Sequence, residues 1–445
     1  MTKSANNMDA IGRMENVVLI SFDSLRSDFV AQLNPAEAPN FCLMRDEGAF
    51  FSNTIVHVPC TIPSHACMLS GLYPARTGVR DMHHKVPPEV LTLFTILRER
   101  GFYTIGSSTT PMLTASRAAY RGIDRQVPFR YRCLKTSIAA VKPKRFFAFL
   151  HYWDTHTPYE TRLPGIRPAD VALNVLGATR GLENYRYVRR IDEMLWLARV
   201  KRIRAMVKEG DSRIVPALKR GYKRAILRAD RFLGGVLKIL KEADLADKTL
   251  VVVTGDHGDS FNEHGEIDRA SDGRYEHGQF LYDNVLRVPL IFFCPGRRFS
   301  RTYGTQVQQI DIAPTLLQAL GIEHAGTMDG SSLWGSSIIG ATPPQEIFAF
   351  SEVVRESLNI ERRSVRSSSY KLLRDYKSNT CELYDLRIDP EEKNDLYPTD
   401  QCTEKTILLD RLQAFSGTRS VGNASSTGAE QRQIETTLRN LGYMD

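Results

Sequence analysis

The stretch Pro59–Val79 reads P-C-T-I-P-S-H-A-C-M-L-S-G-L-Y-P-A-R-T-G-V. Pro63 suits the opening of a helix, because its missing N–H would have had no partner in a first turn. His65 to Ser70 then runs without Gly or Pro and forms the first turns. This sets the Thr61 hydroxyl at a helix N-terminus, where orphan N–H groups and the macrodipole favour negative charge. A nucleophile that must become an alkoxide and attack an anionic ester fits such a place. An ordinary helix capped by Ser64 or Thr61 accounts for the same letters without any chemistry.

Outward from this stretch, apolar runs end on polar ones. Asn16–Phe22 (N-V-V-L-I-S-F) reads as a buried parallel strand, and Asp23 follows it. Thr249–Thr254 (T-L-V-V-V-T) is the most strand-like run of the chain and delivers G-D-H-G-D at Gly255–Asp259. In open α/β sheets ligands collect beyond the carboxyl ends of the strands, which makes Asp23, Asp256 and His257 candidate metal ligands. A plain helix cap is the other reading of Asp23. A carboxylate beside an imidazole suits zinc, manganese or iron, whereas calcium and magnesium prefer oxygen. Arg145–Leu150 is a third strand and runs into H-Y-W-D-T-H-T-P-Y, His151–Tyr159. Further on stand N-E-H-G-E at Asn262–Glu266 and E-H-G-Q-F-L-Y-D at Glu276–Asp283.

Taken together, these blocks resemble the sulfatase family of the alkaline phosphatase superfamily. Its signature is a nucleophile, any residue, Pro, Ser, a basic residue, then an apolar helix ending in Ser/Thr-Gly. Thr61, Pro63, Ser64, His65, Ser70 and Gly71 occupy those places. Most sulfatases have Cys or Ser at the nucleophile position, which is oxidised to formylglycine. Thr61 carries a methyl on its β-carbon, so no formylglycine is expected. His65 replaces the usual Arg, and Ser24 stands where many sulfatases have a second acidic residue after the first strand. The T-x-P-[SN]-H block is more similar to the threonine-nucleophile branch, which includes phosphodiesterases and phosphotransferases.

The resemblance implies one divalent metal ion (Zn, Mn, Ca or Mg) held by Asp23, Asp256 and His257 and touching the Thr61 oxygen. It implies catalytic roles for Thr61, His156 and His277. His156 lies in a D-x-H-x-P-Y motif and is expected to reach the anionic group. His277 is expected to bind that group or act as general acid. His65, His264 and Thr109 are expected to contact substrate. The reaction implied is hydrolysis of a phosphate mono- or diester through a covalent Thr61 intermediate. Three alternatives stand beside it: a sulfatase without formylglycine, a transferase to an alcohol, and a binding protein that keeps the fold.

The expected fold is α/β, a doubly wound sheet with a smaller α+β C-terminal subdomain. The catalytic domain is expected over 1–345, with an insertion at about 164–219. The antiparallel subdomain is expected over 346–415, and a linker with a terminal helix over 416–445. L-Y-D-L-R-I-D-P-E-E-K-N-D-L at Leu383–Leu396 is close to the C-terminal signature of the family. The long helix is read over Gly221–Ala243, and a further helix between Tyr185 and Val207.

The 445 residues carry a net charge of +8. Much of it falls between Tyr185 and Arg220, with eleven basic residues against four acidic ones. Such a run reads as a solvated helix face, or as a surface that meets an anionic partner. Seven scattered cysteines fit a reducing compartment, and the N-terminus shows no apolar signal region. No run approaches the length of a membrane span. A cytoplasmic enzyme with a small anionic ester substrate is expected, without nucleic acid as a partner and with homo-oligomer contacts open.

Overall fold

The computed structural model describes residues 14–82, 84–109, 120–141, 144–159, 199–270, 275–323, 326, 328–345, 347–399 and 403–416. Most of the expected insertion, the expected helix from Tyr185 as far as residue 198, and the terminal segment from 417 lie outside the described residues.

Among the described residues nine strands form one sheet: β4 (Arg125–Pro128), β3 (Tyr103–Ser108), β5 (Phe146–Tyr152), β1 (Asn16–Phe22), β6 (Thr249–Gly255), β7 (Arg287–Phe293), β2 (Ala49–Ile55) and β8 (Arg301–Tyr303) in that order, with β9 (Val307–Gln308) also pairing β2. β1 (Asn16–Phe22), β5 (Phe146–Tyr152) and β6 (Thr249–Gly255) are buried along their whole lengths. Their near-continuous Val, Leu, Ile and Phe content is what a strand covered on both faces requires. Successive side chains point to opposite faces. Val17 and Leu19 of β1 therefore join one apolar core, and Val18, Ile20 and Phe22 the other. On the first face pack the helices Thr61–Ser70, Leu93–Glu99 and Ile312–Ala319. On the second pack Pro39–Glu47, Tyr131–Val141 and the long helix Ile214–Glu242. Helices on both faces make the sheet doubly wound, as expected.

The sheet is mixed rather than purely parallel. β7 (Arg287–Phe293) is antiparallel to both of its neighbours, β6 and β2 (Ala49–Ile55). The long helix begins seven residues before the expected Gly221. Tyr222 on that helix accepts a hydrogen bond from Arg26 N–H at 2.8 Å and donates one to Ser24 O at 2.6 Å, clamping the loop after β1.

A separate four-stranded antiparallel sheet follows, β10 (Ala349–Arg355), β11 (Ile360–Arg366), β12 (Tyr370–Asp375) and β13 (Thr380–Asp385), covered by the helix Thr403–Ser416. It is tied to the large sheet by buried charge. Lys371 bonds Asp283 at 2.8 Å and Glu392 at 2.7 Å, and Arg366 bonds Asp283 at 2.8 Å. Among the described residues no helix is long and apolar enough to cross a membrane.

Candidate active site

Parallel pairing brings three strand ends to one place. Ser21 of β1 is in register with His151 of β5, and Phe22 with Gly255 of β6. Asp23, His151, Asp256 and His257 therefore stand side by side at the carboxyl edge, all buried. Gly258 is dictated by close backbone approach, since a Cβ there would lie 2.1 Å from Asn284 O.

The helix carrying the nucleophile candidate begins at Thr61 itself, after Cys60, which makes no side-chain cap. Neither hydroxyl read as a possible cap serves as one. Thr61 Oγ1 donates to Asp23 Oδ2 at 3.3 Å. Ser64 Oγ bonds the Asp256 carbonyl, with Gln309 Oε1 2.9 Å away. Both hydroxyls thus link the helix N-terminus to the strand ends.

Asp23, Asp256 and His257 bring ligand atoms within 4.8 Å of one another. Asp256 Oδ1 accepts from the N–H groups of Ser24 and His257. His257 Nδ1 donates to Gly258 O at 2.7 Å, which leaves the Nε2 lone pair facing Asp23 and Asp256. Asp256 Oδ2 and His257 Nε2 are buried and have no hydrogen-bond partner among the described residues. Buried polar atoms are otherwise almost always paired. Two carboxylates and an imidazole with orphaned atoms turned together fit a divalent cation. The electrostatics agree. Burial pushes the Asp256 carboxyl up to about 6, with the Asp23 charge adding to it. Burial also opposes charge on Asp23, but His156, His151 and His257 together hold it well below the usual range. Burial lowers His257, yet Asp256 and Asp23 outweigh that and raise it. Such a site holds protons that a cation displaces on binding.

His156 and His277 flank this centre. Their ring centroids are 4.9 Å apart, and those of His257 and His277 are 4.3 Å apart. His156 Nδ1 donates to Thr157 O at 2.7 Å. His277 Nδ1 bonds Asp259 Oδ1 at 3.0 Å, while Thr157 and Tyr159 hydroxyls donate to Asp259 Oδ2. Burial and then the neighbouring His257 and His156 press His277 well below the ordinary imidazole range. Burial raises Asp259 to about 6.

The three expected substrate contacts are placed differently. His65 is fully buried, and its ring nitrogens bond Ser21 Oγ at 2.9 Å and Tyr120 OH at 2.8 Å. It buttresses the site from beneath. His264 stacks on Tyr282 at 3.8 Å, and its nitrogens meet Glu266 and Glu391 O. It joins the C-terminal segment to the loop. Thr109 Oγ1 accepts from Trp153 N–H at 2.7 Å and braces the His156 loop. Two residues were passed over in the sequence reading. Asp259 was visible only as the last letter of G-D-H-G-D. His151 was visible only as the first letter of H-Y-W-D-T-H-T-P-Y, and the structure places it inside β5.

Comparison with known proteins follows the same lines. The sulfatase profile matches residues 15–322, and the profile of the N-sulphoglucosamine sulphohydrolase C-terminal region matches 272–415. Mouse (Mus musculus) arylsulfatase K is 23% identical over 451 aligned residues, spanning 90% of this chain and 79% of its own length. A solved structure in complex with its substrate D-glucosamine-2-N,6-O-disulfate superposes with a TM-score of 0.67 at 18% identity, covering 91% of this chain and 97% of that one. The phosphonate monoester hydrolase of Silicibacter pomeroyi gives 0.65 at 18% identity, covering 92% and 99%. The two structural likenesses speak for the fold. The profile match runs from β1 through the Thr61 helix to the end of helix Ile312–Ala319, and so takes in every strand end that builds the site: the chain belongs to the sulfatase family of ester hydrolases, within the alkaline phosphatase superfamily.

Proposed function

We propose that the chain hydrolyses a phosphate ester through a covalent intermediate on Thr61. The observation that carries this reading is the Thr61 hydroxyl, set at the first residue of a helix and hydrogen-bonded at 3.3 Å to Asp23 Oδ2. Asp23, Asp256 and His257 would hold a divalent ion, which when bound would lower the pKa of a hydroxyl beside it and draw charge from the ester oxygens. The helix N-terminus favours the same developing charge. Thr61 Oγ1 gives up its proton and bonds to phosphorus, the bond to the leaving oxygen breaks, and that oxygen takes up one proton, so none is gained or lost in the step. Water then adds to phosphorus, phosphate leaves, and the Thr61 hydroxyl is restored.

The neighbours divide the remaining work. His277 Nδ1 points its proton at a carboxylate, so Nε2 carries a lone pair. Held neutral by burial, it suits accepting the proton of the attacking water rather than supplying one to the leaving group. His156 lies beside it and addresses the anionic group.

A second reading is sulfate ester hydrolysis, and the relatives favour it: mouse arylsulfatase K is named for sulfate chemistry, and the matched C-terminal profile for an N-sulphoglucosamine sulphohydrolase. Against it stands Thr61, whose β-carbon has no second hydroxyl from which a sulfate could be expelled.

The test uses 4-nitrophenyl phosphate, bis(4-nitrophenyl) phosphate and 4-nitrophenyl sulfate. Metal-stripped protein is reloaded with Zn, Mn, Mg or Ca, with Thr61→Ala alongside. Phosphoester turnover that falls by roughly three orders of magnitude or more in Thr61→Ala is the expected result. Sulfate turnover, or phosphoester turnover that survives the substitution, overturns the reading.

A further inference from the structure

His151 is fully buried at the end of β5, next to β1. Its Nδ1 pairs with the Ser108 hydroxyl at 3.1 Å. Its Nε2 lies 3.4 Å from Asp23 Oδ2, yet makes no hydrogen bond there or elsewhere among the described residues. Three buried atoms in one place are therefore without hydrogen-bond partners among the described residues: His151 Nε2, Asp256 Oδ2 and His257 Nε2. The last two are 3.6 Å apart, and His151 and Asp256 offer ligand atoms within 4.8 Å of each other.

The loop after β1 supplies a single carboxylate. Ser24 follows Asp23, its N–H donates to Asp256 Oδ1 and its hydroxyl to Asp23 Oδ1. A serine cannot take the place of an anionic ligand. The next strand fills the gap, because the Ser21–His151 register carries an imidazole to the same edge. We propose that His151 Nε2 is a fourth protein donor to the metal centre, completing the set Asp23, Asp256, His257 and His151.

The assignment rests on the metal centre of the proposed function and refines it. Two imidazoles and two carboxylates form a shell suited to zinc, manganese or iron, and poor for calcium or magnesium. The surroundings of His151 serve this role. The Ser108 hydroxyl fixes one face of the ring through Nδ1, as outer partners of metal-binding histidines do. His65 stands edge-on behind it with ring centroids 5.0 Å apart. His65 also has a ligand atom within 4.8 Å of His151 and Asp256, but its two nitrogens are taken by Ser21 and Tyr120. It supports the ring and does not ligate.

The test counts imidazoles on bound zinc. Metal-stripped protein is reloaded with Zn(II), its metal content is measured, and X-ray absorption fine structure is recorded for wild type and His151→Gln. Glutamine keeps an N–H that can bond Asp23, so a purely hydrogen-bonding role survives the change. One zinc with two imidazoles in wild type and one in His151→Gln is expected, with zinc affinity against a chromophoric chelator falling tenfold or more. Should the variant not fold, the wild-type count decides alone. One imidazole on a single bound zinc overturns the assignment and leaves the metal centre standing. Two imidazoles in both proteins, or two zinc ions per chain, also overturn it. Absence of zinc binding overturns the metal centre along with it.

Discussion

The Asp259 carboxylate can only accept from His277 Nδ1, so the imidazole proton is fixed on that nitrogen. Asparagine in its place can turn its amide NH2 toward Nδ1 and drive the proton to Nε2. Asp259→Asn is expected to cut turnover by about 10²- to 10⁴-fold with metal content unchanged. Steady-state kinetics beside metal analysis check this, and turnover at the wild-type level removes His277 from the reaction. Legibility varied among such residues for a physical reason. Asp23, Asp256, His257 and Thr61 each sit within a few letters of a strand end or helix start, so local pattern located them. The position of His264 depends on Glu391 O, 127 residues further along, and that of His65 on Tyr120, 55 residues further along. No local pattern carries those contacts, and both histidines were read as substrate contacts when their nitrogens are spent on protein.

Between elements, the decisive contact is that of the Thr61 helix with the loop after β6. Ser64 bonds the Asp256 carbonyl, and Gln309 Nε2 donates to the carbonyls of Gly255 and Asp256 at 3.1 and 3.2 Å. The nucleophile candidate and the metal ligands thus share one scaffold. Ser64→Ala removes a buried hydroxyl and leaves Gln309 Oε1 without its neighbour, a cost of about 1–2 kcal/mol. Denaturant unfolding is expected to show that loss, and turnover is expected to fall with it because the Thr61–Asp23 spacing is no longer held. A Ser64→Ala protein of wild-type stability and rate would contradict this. β1, β5, β6 and the long helix were readable from apolar runs and a 3.6-residue rhythm, whereas the short or half-polar strands β2, β4, β8 and β9 were not. The reversed direction of β7 was not, since strand direction is set by pairing across the sheet rather than by the letters of the strand. The same holds for the Ser21–His151 register.

Across the molecule, the C-terminal sheet meets the catalytic sheet near the Thr61 helix. Glu352 N–H donates to His57 O at 2.8 Å, and the His57 ring Nδ1 bonds Phe350 O at 2.7 Å. His57 is fully buried between the two sheets, and its Nε2 has no hydrogen-bond partner among the described residues. Burial presses its pKa down to about 4, against the partly opposing Phe350 carbonyl and Asp329. In the unfolded chain the imidazole returns to about 6.5. Between those values the unfolded state holds a proton that the folded state lacks, so this contribution to stability falls as pH falls from 6.5 to 4. The full loss is about 3 kcal/mol. Acid is thus expected to loosen the seam between the sheets while the pairs of Asp283 with Lys371 and Arg366 still hold elsewhere along it, since against the cost of burial those cations keep the Asp283 carboxyl well below its usual range. His57→Gln has no such titration. Its unfolding free energy, measured in urea from pH 7 to pH 4, is expected to decline less than that of wild type by about that amount. Hydrogen exchange at β10 is expected to rise on acidification in wild type more than in the variant. Parallel pH profiles for the two proteins would show that the His57 proton plays no part in joining the sheets.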